Sequence, residues 1–396
     1  MGQEKRIKKI ILDMIINVVA SFIPVFLLQL LIHPMLAKHI SQEQYGDMIT
    51  TISVIMVISG SLGNVLNNVR LLLNDIYENE KKSGDFNIYL IWYIVLSVGL
   101  IGVTFFYLKI GNIIDIFIGI LVLLQGYMSV TFRINLNFKK IFICNLFMSF
   151  GYIVGYFFSV YRCTRWQYIY IFGYVFSLCY TIHNSTLLKE PILKTERFYK
   201  TRKECRTLVG ATVLANALNY SDRIIISPII GSDGVTIYYI STLLGKMIAQ
   251  LVGPISSVIL GYLAKMTKIE KKKEKKLFAI IMFICSIGYV ICVLIAPRIL
   301  IILYPQYYIQ TLELIPITTA TAMFTAFSSI ISPFVLKFCS RLWQIVINSI
   351  TLISYVLGAI IGYYVGNMKG FCIGIAIAFM IKGIMLYYAL RKKNEI

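Results

Sequence analysis

Charged residues are scarce in this 396-residue sequence, where Asp, Glu, Lys and Arg together make up 14%. A soluble domain needs about 25% charged residues to cover its surface, so most of this surface must face something other than water. Hydrophobic residues make up 58% of the sequence. Apolar runs of about 20 residues, long enough to cross the hydrocarbon as a helix, recur along the whole length. The composition therefore predicts an all-α polytopic membrane protein.

Sequence signals for metal binding, redox chemistry and ATP hydrolysis are also lacking. The eight cysteines include no CxxC pair, and most lie inside apolar runs, where a thiol behaves as a small apolar group. The sequence has no Walker A motif and only three histidines, and the segments between apolar runs are too short for a catalytic domain. We therefore expect no cofactor, and no enzyme such as a polysaccharide polymerase or ligase.

Twelve apolar runs define the predicted membrane spans. The first follows the basic segment KRIKK as a signal peptide would, but it is too long and lacks an A-x-A cleavage site, so we predict that it is retained. The spans cover residues 10–33, 47–69, 87–108, 113–136, 141–161, 166–188, 207–230, 235–262, 277–300, 308–334, 342–365 and 369–390.

The basic residues follow the positive-inside rule. If the spans alternate, 29 of the 38 Lys and Arg residues fall in segments on one side and 7 fall on the other. Cytoplasmic segments carry the excess, which predicts an inner-membrane protein with both termini cytoplasmic and no nucleic-acid partner. The longest basic segment follows the sixth span. It predicts an N-terminal lobe over 1–195 and a C-terminal lobe over 196–396, the layout of transporters that rock two bundles around a central site.

Polar side chains at helical spacing mark one face of the first, second, seventh and eighth spans. Inside a bilayer such residues normally face a bundle interior or a wet cavity, although Ser, Thr and Asn also join helices to one another. Lys246 lies near the midplane of its span. It lines a hydrated cavity, forms a structural ion pair, or belongs to a wrongly placed span. Arg70, near a cytoplasmic end, either binds substrate or extends to lipid headgroups.

Two segments carry a resemblance to a known family. LAKHISQEQYGDMITTISVIMVIS, with Tyr45 and Gly46, resembles the link between the first two spans of polysaccharide biosynthesis flippases. NALNYSDRIIISPIIGSDGVTIYYIST, with Asp222 and Arg223, resembles their seventh span and the following turn, although Thr236 stands where Gly is expected. The family belongs to the multidrug/oligosaccharidyl-lipid/polysaccharide exporter superfamily. The resemblance implies about 12 transmembrane helices in two six-helix lobes around a central cavity, lined by spans one, two, seven and eight.

The function that the resemblance implies is a flippase moving an undecaprenyl-diphosphate-linked oligosaccharide repeat unit, for an O-antigen or capsule, to the outer leaflet by alternating access. The implied partners are this polyprenyl-diphosphate-linked glycan, membrane lipids and polysaccharide polymerase machinery. The candidates for binding the diphosphate are the cations Lys246, Arg70 and Arg223. The candidates for sugar contacts are the amides Asn64, Asn68, Asn216, Asn219 and Gln250. The candidates for H⁺ or Na⁺ coupling are the carboxylates Asp222 and Asp13.

The alternative is a cation-coupled multidrug exporter of the same superfamily. Such an exporter would favour an acidic cavity for cationic drugs, whereas the candidate positions here are net basic if Lys246 and the arginines face inward. A sugar porter of the major facilitator class fits less well. It should show a Gly-x-x-x-Asp-Arg pattern after the second span, where this sequence reads VRLLLNDIYENEKKSGD.

Overall fold

The computed structural model describes residues 19–79, 84–135, 137–163, 165–264, 271–339 and 341–393, and every regular element within these ranges is a helix. The predicted all-α fold is confirmed, and each predicted span overlaps a helical segment within the described residues, the first from residue 19 onward. We label these segments α1 to α12: Val19–Leu36, Gln42–Glu78, Asp85–Leu108, Ile113–Ile134, Phe138–Cys163, Gln167–His183, Phe198–Ile230, Ser232–Ala264, Lys271–Leu303, Ile315–Phe338, and the two parts of Arg341–Lys393 before and after a kink.

Eight helices in the described ranges are long and apolar enough to cross a bilayer, and the last of them, Val346–Lys392, contains both α11 and α12. The helices outside this group are α6, α7 and α8. The α6 helix has 17 residues, which is short for a span of about 20. Polar residues such as Asn216 and Arg223 interrupt the apolar character of α7. Lys246 likewise lies inside α8.

The chain falls into two compact units, Met1–Val235 and Thr236–Ile396. In this division α7 lies with α1 to α6. The lobe boundary after residue 195, drawn from the charge pattern, stays a prediction.

In the first unit, α2 and α7 run antiparallel along almost their whole length. Near the middle of α2, Ser61 accepts a hydrogen bond of 2.8 Å from the side-chain amide of Asn216. Towards the end of α2, the hydroxyl of Tyr77 lies 2.7 Å from that of Thr201, near the start of α7. Later positions on α2 thus meet earlier positions on α7, as an antiparallel pair requires.

The other end of this helix pair is closed by a very close backbone approach. A Cβ added to Gly46 would lie 1.8 Å from the carbonyl oxygen of Ser232, so this position accepts only glycine. The hydroxyl of Ser232 also donates a hydrogen bond to the carboxylate of Asp47. The turn between α7 and α8 is therefore fixed onto the start of α2.

The segment between α6 and α7 is bound to the same unit by buried polar contacts. Arg70 forms a bidentate ion pair with Glu190, with nitrogen–oxygen distances of 2.6 and 3.1 Å. The amide of Asn87 donates to the backbone carbonyl of Glu190 at 2.7 Å. The carboxylate of Asp85 accepts from both the backbone N–H and the hydroxyl of Thr195, at 2.7 and 2.5 Å. This basic segment is thus anchored to the later part of α2 and to the start of α3.

In the second unit, α11 and α12 are separated by a kink and pack closely side by side. The helix geometry breaks at Gly366 and Asn367, and Asn367 adopts a left-handed φ of 50°. Across the kink, a Cβ added to Gly362 would lie 2.2 Å from the carbonyl oxygen of Gly370. Small residues four apart on two helices allow such backbone contact in membranes.

Exposed apolar side chains cover the remaining faces of several helices. On α3, Val95 is 67% exposed, and Phe106 is 82% exposed. On α9, Phe283 and Leu294 are exposed by 66 and 62%. Soluble monomers rarely expose so many large apolar side chains on one helix, and these surfaces fit contact with lipid tails.

Candidate substrate-binding polar faces

Arg223 holds a positive charge well inside α7. It lies seven residues before the end of this helix at Ile230, about 10 Å along the axis. Its Nη1 atom donates a long hydrogen bond of 3.5 Å to Ser53 on α2, and its guanidinium lies 5.6 Å from the ring centroid of Tyr220. A cation at this depth is costly unless polar or aromatic groups surround it. The sequence prediction that Arg223 belongs to a polar site is compatible with this setting.

Asp222 lies next to Arg223 but points into the packing. Neighbouring residues on a helix differ in direction by about 100°, and Asp222 is only 2% exposed. One of its oxygens accepts the backbone N–H of Arg223 at 3.0 Å. Its assignment to ion coupling stays a prediction. The other coupling candidate, Asp13, lies outside the described residues.

His33 joins this polar region from α1, and its role was missed at the sequence level. It lies near the end of its helix, and it is only 3% exposed. Its Nε2 atom is 2.9 Å from the hydroxyl of Tyr170 on α6, and its ring meets that of Tyr45 edge-on at 6.0 Å. The charge of Arg223 also acts on the His33 ring. Polar groups of α1, α2, α6 and α7 therefore meet here.

Asparagines on α2 and α7 leave a polar strip exposed on this helix pair. Most of the apolar window of α2 is buried, yet Asn64 is exposed, and Asn219 is exposed on α7. An exposed amide would be costly against hydrocarbon, so this strip indicates a hydrated surface. Asn216 and Asn68 are half-buried and lie within hydrogen-bond distance of neighbouring helices. Asn216 donates to Ser61 at 2.8 Å, and Asn68 accepts from Arg133 at 3.4 Å.

Arg70 and Arg133 differ in exposure and in their contact partners. Both lie near the predicted cytoplasmic end of the first unit. Arg70 is 7% exposed, is paired with Glu190, and lies 4.8 Å from the ring centroid of Phe86. Arg133 is exposed, and its Nη1 atom lies 2.5 Å from Asn67 Oδ1. The assignment of Arg70 to the diphosphate stays a prediction. The accessible cation beside the asparagines is Arg133, which the sequence did not single out for substrate.

In the second unit, Lys246 lies on α8, fourteen residues after the helix begins at Ser232, or about 20 Å along its axis. It is half-buried, and its ammonium lies 5.7 Å from the ring centroid of Tyr238. Tyr238 is itself 2% exposed and packs edge-on against Phe371 at 5.7 Å. The ammonium of Lys246 is therefore placed for a cation–π contact with the buried ring of Tyr238. Gln250, one turn later, is exposed.

Metal ligands do not cluster in the part of the chain that the structure describes. No group of three or more His, Cys, Asp or Glu residues within it is placed to hold a metal ion. The polar faces offer hydrogen bonds and charge instead. They suit recognition of a polar, anionic molecule.

The fold is that of transporters of the MOP superfamily, whose name abbreviates multidrug/oligosaccharidyl-lipid/polysaccharide exporters. An inward-facing multidrug resistance MATE family transporter superposes with a TM-score of 0.71 at 14% identity, over 96% of this chain and 98% of that chain. The lipid II flippase MurJ, in an inward closed conformation, gives 0.74 at 15% identity, over 95 and 87%. The Vibrio cholerae MATE transporter VcmN, in the bent form, gives 0.57 at 10% identity, over 98% of both chains. No family model and no curated protein matches the sequence.

Proposed function

We propose that this protein is a flippase that moves an undecaprenyl-diphosphate-linked oligosaccharide from the cytoplasmic to the outer leaflet by alternating access. The observation that carries the proposal is Arg223, a cation held inside the span of α7 next to an exposed strip of amides. The likeness to the lipid II flippase MurJ adds a precedent within the fold for a lipid-linked substrate. The cell membrane, with both termini cytoplasmic, is the location that the charge pattern favours.

The chemistry of the headgroup explains why these residue types are needed. A diphosphate and a glycan do not enter hydrocarbon unaided, because each would lose its hydrogen bonds to water. A guanidinium donates parallel hydrogen bonds to phosphate oxygens, and an asparagine both donates to and accepts from sugar hydroxyls. The apolar polyprenyl tail has no such need and stays among the lipids.

The polar residues divide between these two tasks. Arg223 supplies positive charge for the diphosphate, and Arg133 adds an exposed cation near the cytoplasmic end. Lys246, on α8, is a further cationic candidate. The amides supply sugar contacts, and Arg70 chiefly anchors the segment after α6 through Glu190. The proposed sugar contacts are Asn64, Asn68, Asn216, Asn219 and Gln250.

The driving force follows from the charge of the substrate. A membrane potential contributes about 2.3 kcal/mol per elementary charge per 100 mV, so an inside-negative potential drives an anion outward. A coupled ion is therefore not required, and Asp222 remains the described candidate for one. We further propose that the flipped glycan is delivered to polysaccharide polymerase machinery, which builds an O-antigen or a capsule.

A cation-coupled multidrug exporter is the second candidate, because the MATE family transporter shares the fold at a TM-score of 0.71. A cationic drug needs an accessible carboxylate. On the described parts of α2 and α7, the exposed polar groups in the middle of the helices are amides, and the carboxylate of Asp222 is buried. This difference favours the anionic substrate.

The test measures binding of undecaprenyl diphosphate to the purified protein in nanodiscs, with undecaprenol as the uncharged comparison. We expect the diphosphate lipid to raise the melting temperature and undecaprenol not to do so. Arg223→Gln should weaken binding at least tenfold, whereas Arg206→Gln, an exposed arginine at the cytoplasmic end of the same helix, should leave it unchanged.

Two results would overturn the proposal. One is equal stabilisation by undecaprenol, which would show that the tail alone is recognised. The other is stabilisation by the cationic dye ethidium in place of the diphosphate lipid, together with lost drug resistance in a deletion strain. That pair of results would establish the exporter instead.

A further inference from the structure

A cavity of about 270 Å³ lies in the first unit, where α2, α4 and α6 begin. All three helices start at this end of the first unit, which the charge pattern places at the outer face. The walls carry polar side chains from all three helix starts. Those used below are Asp47 and Thr51 of α2, Asp115 of α4, and Arg165, Trp166 and Gln167 at the start of α6.

Asp115 is the buried carboxylate of this cavity, with 1% of its surface exposed. Its Oδ2 atom accepts the backbone N–H of Asn112 at 2.8 Å, as part of the cap of α4. The amide of Gln167 lies close to the carboxyl group, yet Oδ1 is buried without a hydrogen bond of ordinary geometry to any described residue. A carboxylate oxygen buried in this way is costly unless a donor reaches it. The helix cap accounts for one oxygen and leaves the other for a ligand.

The remaining lining narrows the chemistry of that ligand. Sugar hydroxyls donate to carboxylates such as Asp47 and Asp115 and accept from a guanidinium such as that of Arg165. An indole, here Trp166, offers a flat apolar surface to the C–H face of a sugar ring. A bare cation fits less well, because the positive charge of Arg165 lies on the same wall.

We propose that this cavity is a binding subsite for one sugar ring of the transported glycan, with Asp115 and Arg165 as its hydrogen-bonding groups and Trp166 as its stacking surface. The proposal rests on the proposed function and adds to it a second point of contact, at the opposite end of the unit from Arg133. The volume lies near the lower limit of about 300 Å³ for small-molecule pockets, so it suits one ring rather than a whole repeat unit.

Fluorescence of Trp166 provides a direct assay. The sequence has three tryptophans, so Trp92→Phe and Trp343→Phe together leave Trp166 as the reporter. The probes are glucose, galactose, N-acetylglucosamine and glucuronate, titrated into the purified protein in nanodiscs. We expect at least one of them to change the emission of Trp166 saturably, in the millimolar range of a single-ring ligand.

Two variants test the assigned groups. Arg165→Ala should weaken the sugar at least fivefold, and Arg162→Ala, an exposed arginine close by that does not line the cavity, should leave it within twofold. Asp115→Asn keeps the shape and removes the charge, and should also weaken the sugar at least fivefold. Because Asp115 caps α4, the circular dichroism of Asp115→Asn must first show that the helix content is unchanged. If the helix content falls, the effect of Arg165→Ala alone tests the proposal.

The proposal fails if no probe gives a saturable change, or if Arg165→Ala leaves the affinity unchanged. It also fails if sodium chloride changes the emission while choline chloride and the sugars do not, because the site would then bind a cation. The outcome is separable from that of the proposed function. Sugar binding without undecaprenyl diphosphate binding would refute the flippase and leave a sugar site, and the reverse result would refute only the subsite.

Discussion

Arg223 on α7 reaches across to Ser53 on α2, with 3.5 Å between Nη1 and Oγ. Both residues lie within predicted spans, so the contact fixes a positive charge at a depth where lipid would be costly. The exposed amides of Asn64 and Asn219 lie on the same two helices. This arrangement leads to predictions about hydration, stability and the effect of voltage.

The strip that carries Asn64 and Asn219 should be wet, whereas the exposed face of α3 should be in lipid. In a cysteine-free background, Asn64→Cys and Asn219→Cys should react with a charged, water-soluble methanethiosulfonate at least tenfold faster than Val95→Cys. The reason is that the reactive thiolate forms in water and not in hydrocarbon. Val95 is the matched control because it is 67% exposed in an apolar surface. Equal rates at all three positions would show that the strip faces lipid.

The ion pair between Arg70 and Glu190 should be a major source of stability for the first unit. The two side chains are only 8 and 13% exposed, so Arg70→Met or Glu190→Gln leaves a buried group without its partner, at a cost of about 3–5 kcal/mol. The double variant should be less damaging than the two single costs combined. The pair Lys369–Glu313, at 54 and 68% exposed, is the control and should contribute at most about 1 kcal/mol. The measurement is the free energy of unfolding in denaturing detergent. Similar losses for the two ion pairs would contradict the stabilising role of burial.

Gly46→Ala should destabilise the contact between α2 and the turn after α7. The added Cβ would lie 1.8 Å from a backbone oxygen of Ser232, so the backbones must separate, at a cost of about 1–3 kcal/mol. Gly210→Ala, on α7, is the control, because its Cβ meets nothing within 4 Å and alanine favours a helix over glycine by about 1 kcal/mol. We expect a lower melting temperature for the first variant and an equal or higher one for the second. The reverse order would contradict the close packing seen here.

Voltage should accelerate outward movement of the substrate. A net dianion that crosses alone gains about 4.6 kcal/mol per 100 mV, since each charge contributes about 2.3. The measurement uses oriented protein in liposomes, a fluorescent polyprenyl-diphosphate-linked N-acetylglucosamine and a valinomycin-set potassium potential, with fluorescent phosphatidylcholine as the uncharged control. A rate that ignores the potential would mean that cations accompany the lipid and that the movement is electroneutral.

Hydrophobic length predicted the helices well but not how far they extend beyond the membrane. The third span was predicted over 87–108 and is observed as Asp85–Leu108. The second was predicted to end at 69, yet the helix runs to Glu78. Lipid selects apolar residues only where a helix is embedded. The extension past Arg70 is held instead by contacts such as Tyr77 with Thr201, which hydropathy does not reveal.

The partners of the polar residues were largely beyond sequence reasoning. Periodicity grouped Asn64 and Arg223 with other polar positions along α2 and α7, because a helix repeats every 3.6 residues. It could not show that Arg70 meets Glu190, 120 positions away, or that His33 meets Tyr170. Such pairs depend on how helices pack. Asp115 carried a helix-capping signal with Asn112, but the cavity beside it is formed by three separate helix starts.

The contact between Gly362 and Gly370 restricts how the second unit can move. With the two backbones touching, no lipid tail or side chain can enter between α11 and α12 at that level. Sliding would force the carbonyl of one helix into the chain of the other. The two helices must therefore move together as one rigid element, and any bending of the second unit has to occur in its other helices.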